Sequence, residues 1–281
     1  MLRFFSYGTV RRKTLCKLSG WALLSIGLLG LVGCASQASL PGASEARSEI
    51  VTESDEPEAR KRARIRLELA VGYFEQGQTT IALDELKQSI AADPSYADSY
   101  NLRGLIFMRL DDYRTAEESF RKALSLQPKN SDVMHNLGWL FCQGGRYAES
   151  SELFDRALSN PQYGERAKTF RVQGLCQSRA GLHGQAEANL MKSYELDAGN
   201  PVTAYNLADL LFKRKDVVRA QFYIRRLNNS ELANAESLWL GVKVERLMAN
   251  REAMAQLAGQ LEKRFPQSAQ AMAYQRGSFD E

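Results

Sequence analysis

The stretch from Ala97 to Pro128, "ADSYNLRGLIFMRLDDYRTAEESFRKALSLQP", decides the fold because its pattern recurs along the chain. Pro94 and Pro128 lie 34 residues apart, and so do Ala82 and Ala116. A fixed period with small, aromatic and proline residues at constant offsets is typical of an array of short structural repeats. The chain is therefore expected to be built from copies of one unit.

The residues of this stretch predict a pair of helices packed against each other. Gly104 on the first helix and Ala116 on the second permit close approach, because neither has a large side chain. Phe107 and Phe120 fill the remaining space, and Pro128 ends the second helix because proline cannot continue it. This is the tetratricopeptide signature. Repeats are predicted to begin near residues 63, 97, 131, 167, 201 and 235, and the last is degraded, as expected of a terminal repeat.

The repeats predict the architecture of residues 63–266. Each helix pair leaves an apolar face that only a neighbouring pair can cover, so the pairs must stack. We therefore expect an all-α, right-handed superhelical solenoid of six tetratricopeptide helix pairs, followed by a C-terminal cap or tail at residues 267–281. No period of two, which would indicate strands, competes with this interpretation.

The amino-terminal 33 residues have the parts of a secretory signal peptide. Met1–Ser19 holds five basic residues and no acid, and Trp21–Val32 is an apolar run of twelve. This run is shorter than the roughly twenty residues that a membrane-spanning helix needs. The sequence before Cys34, Leu31-Val32-Gly33, resembles the lipobox of bacterial lipoproteins. The resemblance implies removal of residues 1–33 and acylation of Cys34 with chains such as palmitate; a cysteine in a buried helix is the alternative.

The resemblance to lipoproteins also implies a location. In that family an aspartate after the lipidated cysteine favours the inner membrane, and Ala35 stands there instead. We therefore expect anchoring at the periplasmic face of the outer membrane of a Gram-negative bacterium. Residues 34–62 are rich in Ser, Ala and Glu, and predict a flexible tether, with a short helix near Glu58–Arg62 as an alternative over its last part.

The net charge of +4 belongs to the signal peptide. Without residues 1–33 the chain has 32 basic and 33 acidic residues, so its charge does not indicate nucleic-acid binding. The chain has only two histidines, His135 and His183, and its residues show neither the spacing of metal ligands nor that of a phosphate-binding loop. We therefore expect a protein without enzymatic activity, metal, small-molecule substrate or cofactor, apart from the covalent lipid on Cys34.

Two cysteines, Cys142 and Cys176, lie 34 residues apart near the ends of the first helices of repeats three and four. Such helices are neighbours in the stack, and a disulfide would persist in the oxidising periplasm. A disulfide is favoured, and two buried, unpaired thiols are the alternative.

The first helices of the repeats are expected to line a concave face. Their inner positions in repeats one to three predict an apolar groove for a helix or an extended segment of a partner protein. The alternative is that the chain's own residues cover some of these side chains. The predicted groove residues are Leu67, Val71, Phe74, Asn101, Leu105, Met108 and Trp139.

The stretch His135–Cys176, "HNLGWLFCQGGRYAESSELFDRALSNPQYGERAKTFRVQGLC", resembles the type IV pilus biogenesis lipoproteins of the PilF/PilW family. The order "FC..GRY", "NPQY..RA" and "GLC" is the specific part, and the cysteine pair matches that of the family. The resemblance implies a pilotin, a lipoprotein that binds the pilus secretin and promotes its outer-membrane localisation, multimerisation or stability, with pili and twitching motility downstream. The alternative function is a lipoprotein adaptor that recruits cell-wall hydrolases or other envelope complexes.

Overall fold

The computed structural model describes residues 55–279, which contain thirteen helices and no strand. Residues from Glu58 onward belong to one compact unit. Cys34 and all but the last residues of the predicted tether lie outside the described part of the chain. The helices are α1 Glu58–Glu75, α2 Thr79–Ala92, α3 Ala97–Arg109, α4 Tyr113–Leu126, α5 Ser131–Gln143, α6 Tyr147–Leu158, α7 Arg166–Arg179, α8 His183–Leu196, α9 Pro201–Lys213, α10 Val217–Asn228, α11 Ala235–Leu247, α12 Arg251–Arg264 and α13 Ala269–Arg276.

The first twelve helices form six consecutive pairs, in agreement with the predicted all-α repeat array. Five of the six pairs begin at the predicted residue or one residue before it. The first pair begins at Glu58, so the last five residues of the predicted tether, 58–62, are helical, which is the alternative that the sequence left open. The early start has a physical reason, since the Arg60 Nε lies 2.5 Å from the Asp93 carboxylate and its guanidinium lies 4.6 Å from the Tyr96 ring centre.

Close contact inside each pair depends on the small residues. A Cβ atom on Gly104 would lie 2.4 Å from the ring of Phe120, which is closer than carbon atoms can pack. The alanines at the equivalent position of the second helices are fully buried, and they are Ala82, Ala116, Ala186 and Ala220. Helix ends follow ordinary capping chemistry, in which a side-chain oxygen accepts a hydrogen bond from a backbone N–H of the first turn. Such caps are formed by Asp112, Asn130, Asn200, Asp216, Asn234, Asn250 and Ser268.

The odd-numbered and even-numbered helices differ in how they meet. Within residues 58–279, the Cα atoms of each odd-numbered helix from α1 to α9 come within 8 Å of the next odd-numbered helix. Among the described residues, the even-numbered helices α2 to α12 make no comparable backbone approach to one another. The stack is therefore narrower along the first helices, which makes their side the inner, concave one.

The predicted C-terminal cap or tail is a cap over its described residues. Helix α13 packs on α11 and α12. The Phe279 ring stacks on Trp239 with 5.3 Å between ring centres, and the Arg246 guanidinium lies 3.9 Å from the centre of the Phe279 ring. These contacts cover the side of the sixth repeat that faces away from the fifth.

Candidate protein-binding face

Four apolar side chains of the predicted groove remain accessible on the inner side of repeats one to three. Val71 on α1 is 37% exposed, and Leu105, Met108 and Trp139 are half-buried. Their helices lie side by side, because α1, α3 and α5 contact one another in order. These four residues, which we call the inner apolar face, form a surface that a partner could cover without disturbing the core.

The structure corrects the assignment of Leu67 and Phe74 to the groove. Each is only 8% exposed, and both pack in the core between α1, α2 and α3. Arg109 closes this site from the next repeat, since its Nη1 donates a hydrogen bond of 2.9 Å to the Phe74 carbonyl oxygen. Its guanidinium also lies 5.0 Å from the centre of the Phe74 ring. These two side chains therefore stabilise the solenoid and are not accessible to a partner.

Asn101 lies at the junction of two inner helices. Its Oδ1 accepts a hydrogen bond of 3.0 Å from the Asn136 side chain, so α3 and α5 are linked across the inner side. The Arg179 guanidinium of α7 lies 5.5 Å from the centre of the Trp139 ring of α5. The inner apolar face is thus bordered by polar contacts that run from one repeat to the next.

The structure joins Cys142 to Cys176 by a disulfide with 5.7 Å between the Cα atoms. Trp139 and Phe154 pack around it. The bridge connects α5 to α7, and it fixes repeat three to repeat four directly beneath the end of the inner apolar face.

The inner side changes charge along its length. Desolvation raises the pKa of the Asp98 and Asp132 carboxyl groups, at the start of α3 and α5. In repeat four the corresponding surface has Lys168 and Arg171, and burial lowers the pKa of the Arg171 guanidinium. A bound segment would therefore meet carboxylates near repeats two and three and cations near repeat four.

His135 is not a candidate catalytic group in this structure. It is buried, its Nδ1 lies 2.7 Å from the Thr169 Oγ1, and Thr169 also lies 3.1 Å from the Tyr163 hydroxyl. Burial, together with Lys168 and Arg171, lowers the pKa of His135 to about 3, so its ring is neutral. It links α5 to α7 as a packing residue.

Two accessible apolar residues on the first repeat are not among the predicted groove residues. Ile65 and Leu69 on α1 are 45% and 43% exposed. Their equivalents in repeat three, Val133 and Leu137, are almost fully buried against the preceding repeat. Comparison of equivalent positions along the repeats could have identified them, because among residues 55–279 no earlier repeat packs against the first one.

The part of the chain from residue 55 to residue 279 contains no group of His, Cys, Asp and Glu placed to hold a metal ion. None of its helices has the length and apolar character required to cross a bilayer.

The chain is similar in sequence and in structure to proteins of type IV pilus biogenesis. Tetratricopeptide-repeat models match residues 72–111 and 95–162. The type IV pilus assembly protein PilF of Pseudomonas aeruginosa is 28% identical over 254 residues, which cover 90% of this chain and 97% of that protein.

The solved structures agree with the sequence comparison. The structure of Pseudomonas aeruginosa PilF matches with a TM-score of 0.71 and 28% identity, over 79% of this chain and all of that one. The structure of PilW, a widely conserved type IV pilus biogenesis factor, matches with a TM-score of 0.69 and 28% identity, over 75% of this chain and 97% of that one. The structure of the tetratricopeptide protein YrrB matches with a TM-score of 0.55 and 15% identity, over 68% of this chain and 97% of that one. At this identity the match supports the fold alone.

Proposed function

Because this chain is a tetratricopeptide-repeat protein homologous to the type IV pilus biogenesis proteins PilF and PilW, we propose that it is a pilotin of the pilus secretin. In this role it has no enzymatic activity. It binds secretin subunits and promotes their localisation to the outer membrane, their multimerisation or their stability, so that pili can be assembled. The observation that carries the proposal is similarity to PilF over nearly the full length of both chains.

The inner apolar face is the proposed contact surface for the secretin. Its four side chains, Val71, Leu105, Met108 and Trp139, are accessible and lie on adjacent inner helices. Apolar side chains in a polar border suit a helix or an extended segment of a partner. Asn101 can contribute hydrogen bonds at the centre of this surface, where its amide already meets Asn136.

A covalent lipid on Cys34 is the proposed membrane anchor. The support for it is the lipobox-like sequence Leu31-Val32-Gly33-Cys34. Buried acyl chains supply about 0.8 kcal/mol per CH₂ group, so a lipidated protein stays at the membrane surface. Cys34→Ala is expected to move the protein from the outer-membrane fraction to the soluble periplasmic fraction. Continued sedimentation of this variant with the outer membrane would refute the anchor.

Binding can be tested by changing the inner apolar face without disturbing the core. Val71→Asp, alone and with Met108→Asp, places carboxylates on this face. We expect less secretin to co-purify from detergent-solubilised membranes and fewer secretin multimers in cells. Ile81→Asp is the matched control, because Ile81 is 44% exposed on α2, outside the inner face. Equal secretin recovery with all three variants would exclude this surface.

Deletion of the gene distinguishes the proposal from an adaptor for cell-wall hydrolases. A pilotin predicts loss of surface pili, with secretin left as monomers or in the wrong membrane. Normal pili with altered cell shape would instead favour the adaptor.

A further inference from the structure

The outer face of α10 has an exposed apolar pair that the repeat fold does not require. Val218 and Phe222 lie one helical turn apart and are 66% and 60% exposed. Residues at i, i+1, i+4, i+7 and i+8 share one helix face, so Arg219, Arg225 and Arg226 flank the pair. We call these five residues the α10 outer face.

The equivalent pairs on the neighbouring second helices are small or polar. They are Gly184 and Ala188 in α8, and Glu252 and Gln256 in α12. Since the other helix pairs stack without large apolar residues at these positions, packing of the solenoid does not explain Val218 and Phe222.

An aromatic cluster lies next to Phe222. Its ring meets Tyr223 edge to face with 5.0 Å between ring centres, and Tyr223 meets Tyr194 in the same way at 5.0 Å. The Tyr223 hydroxyl lies 3.0 Å from the Met191 sulfur. Burial of Phe222 by a ligand would therefore extend an apolar cluster that is already present.

Positive charge is concentrated around this face. Residues 213–226 contain six basic residues and one acid, whereas the chain from residue 34 onward is almost neutral. Neighbouring carboxylates neutralise part of this charge, since Glu187 pairs with Arg214 and Arg219, and Glu245 pairs with Arg225. Asp209 pairs with Lys213, and Asp216 pairs with Arg219. A positive excess remains.

Two of the exposed cations contribute most to this excess. Lys215 and Arg226 have no carboxylate within ion-pair distance among residues 55–279. Lys215 lies in the turn before α10, and Arg226 lies on the helix face beside Phe222.

We propose that the α10 outer face, together with Lys213 at the end of α9 and the turn at residues 214–216, docks on a phospholipid surface that contains anionic headgroups. Val218 and Phe222 enter the boundary between headgroups and acyl chains, and the lysine and arginine side chains reach the phosphates. The shape favours a membrane over a peptide, because α10 lies on the outer, convex side of the stack, where no groove encloses a ligand. Docking there leaves the inner apolar face open to a protein partner.

This docking does not depend on lipidation of Cys34, so it is tested on a chain without that residue. Residues 55–281 suffice, because residues 58–281 belong to one compact unit with its own core. The solenoid is floated with vesicles of phosphatidylethanolamine containing phosphatidylglycerol, and with vesicles of neutral phosphatidylcholine. We expect binding to the anionic vesicles that weakens as salt concentration rises.

The double variant Val218→Asp/Phe222→Asp is expected to lower the partition coefficient on anionic vesicles by about tenfold. The matched control is Leu196→Asp/Leu232→Asp, which makes the same charge change at two residues that are each 55% exposed and lie off this face. A charge-reversal variant, Lys215→Glu/Arg226→Glu, should also weaken binding to anionic vesicles, with an unchanged circular dichroism spectrum. This variant tests the same face if Val218→Asp/Phe222→Asp does not fold.

The proposal is overturned if the solenoid fails to bind anionic vesicles, or if it binds neutral vesicles equally well. Equal loss of binding in the α10 variants and the control would also overturn it, since the loss would then reflect charge alone. Capture of a protein by a cross-linker at position 222, in a solenoid that ignores vesicles, would assign the face to a protein partner instead.

Discussion

At the scale of single residues, Gly104 shows how closely the helices of one pair approach. A Cβ there would overlap the fully buried Phe120 ring at 2.4 Å. We expect Gly104→Ala to lower the free energy of unfolding by about 1–3 kcal/mol, because the ring must move out of a packed position. Urea denaturation followed by circular dichroism measures this change.

A second glycine supplies the control for that experiment. Gly72 lies inside α1, and a Cβ there would meet nothing within 4 Å. Gly72→Ala should therefore raise the free energy of unfolding by about 0.5–1 kcal/mol through better helix propensity. If both substitutions shifted stability in the same direction, close packing at Gly104 would not be the cause.

The buried His135 predicts a pH dependence of stability. Its pKa is about 3 in the folded protein and 6.5 in a model peptide, so between these values the unfolded chain holds a proton that the folded chain does not. The contribution of the neutral ring is complete above about pH 6.5 and is lost as pH falls below it.

Replacement of His135 by Gln removes this proton linkage. From about pH 7 to about pH 5, the wild-type protein should lose about 2 kcal/mol more stability than His135→Gln. Asp98 and Asp132 have raised pKa values and oppose this trend, but they are present in both proteins and cancel in the comparison. Parallel stability curves for the two proteins would contradict the prediction.

At the scale of helices, the Cys142–Cys176 bridge fastens α5 to α7 across a separation of 34 residues. Its removal in Cys142→Ala/Cys176→Ala should lower the free energy of unfolding by about 3–4 kcal/mol in the chain-entropy model. Reductant should destabilise the wild type by a similar amount and leave the double variant unchanged. Identical melting of the wild type with and without reductant would show that the bridge adds no stability.

The stacking of Phe279 on Trp239, next to helix α13, covers the sixth repeat, and its loss should be measurable. Phe279→Ala should expose Trp239, shift its fluorescence to longer wavelength and lower stability by about 1–2 kcal/mol. Phe222→Ala is the control, since that ring is already largely in solvent. Unchanged Trp239 emission in Phe279→Ala would mean that α13 does not seal the last repeat.

The repeat period allowed helix-pair starts to be predicted to within one residue for five pairs, because glycine, alanine and proline mark fixed offsets. It failed at α1, where the helix start depends on contacts of Arg60 with Asp93 and Tyr96 more than thirty residues away. The same limit applies to the binding face. The repeat period predicted the position of Phe74 on the helix. It could not show that Arg109 of the next repeat covers the Phe74 side chain and so removes it from the accessible surface.

At the scale of the whole molecule, the stack predicts a gradient of local stability. Each repeat contacts only its neighbours, so the first repeat, which among residues 55–279 packs against one neighbouring repeat only, unfolds locally at lower cost than the central ones. Hydrogen exchange should be fastest in α1 and α2 and slowest in α5 to α8, where the disulfide adds a covalent link. Uniform protection along the array would mean that it unfolds as one cooperative block.

The position of the bridge on the inner helices has a mechanical consequence. A stack of repeats changes curvature by opening or closing the angles between successive pairs, and the covalent link between α5 and α7 limits that angle at the central joint. Bending to fit a ligand is then restricted to the joints on either side. Repeats three and four would then keep a fixed angle and a fixed distance between α5 and α7, while the repeats on either side of them could bend. A ligand on the inner side would have to match that fixed distance at the middle of the stack.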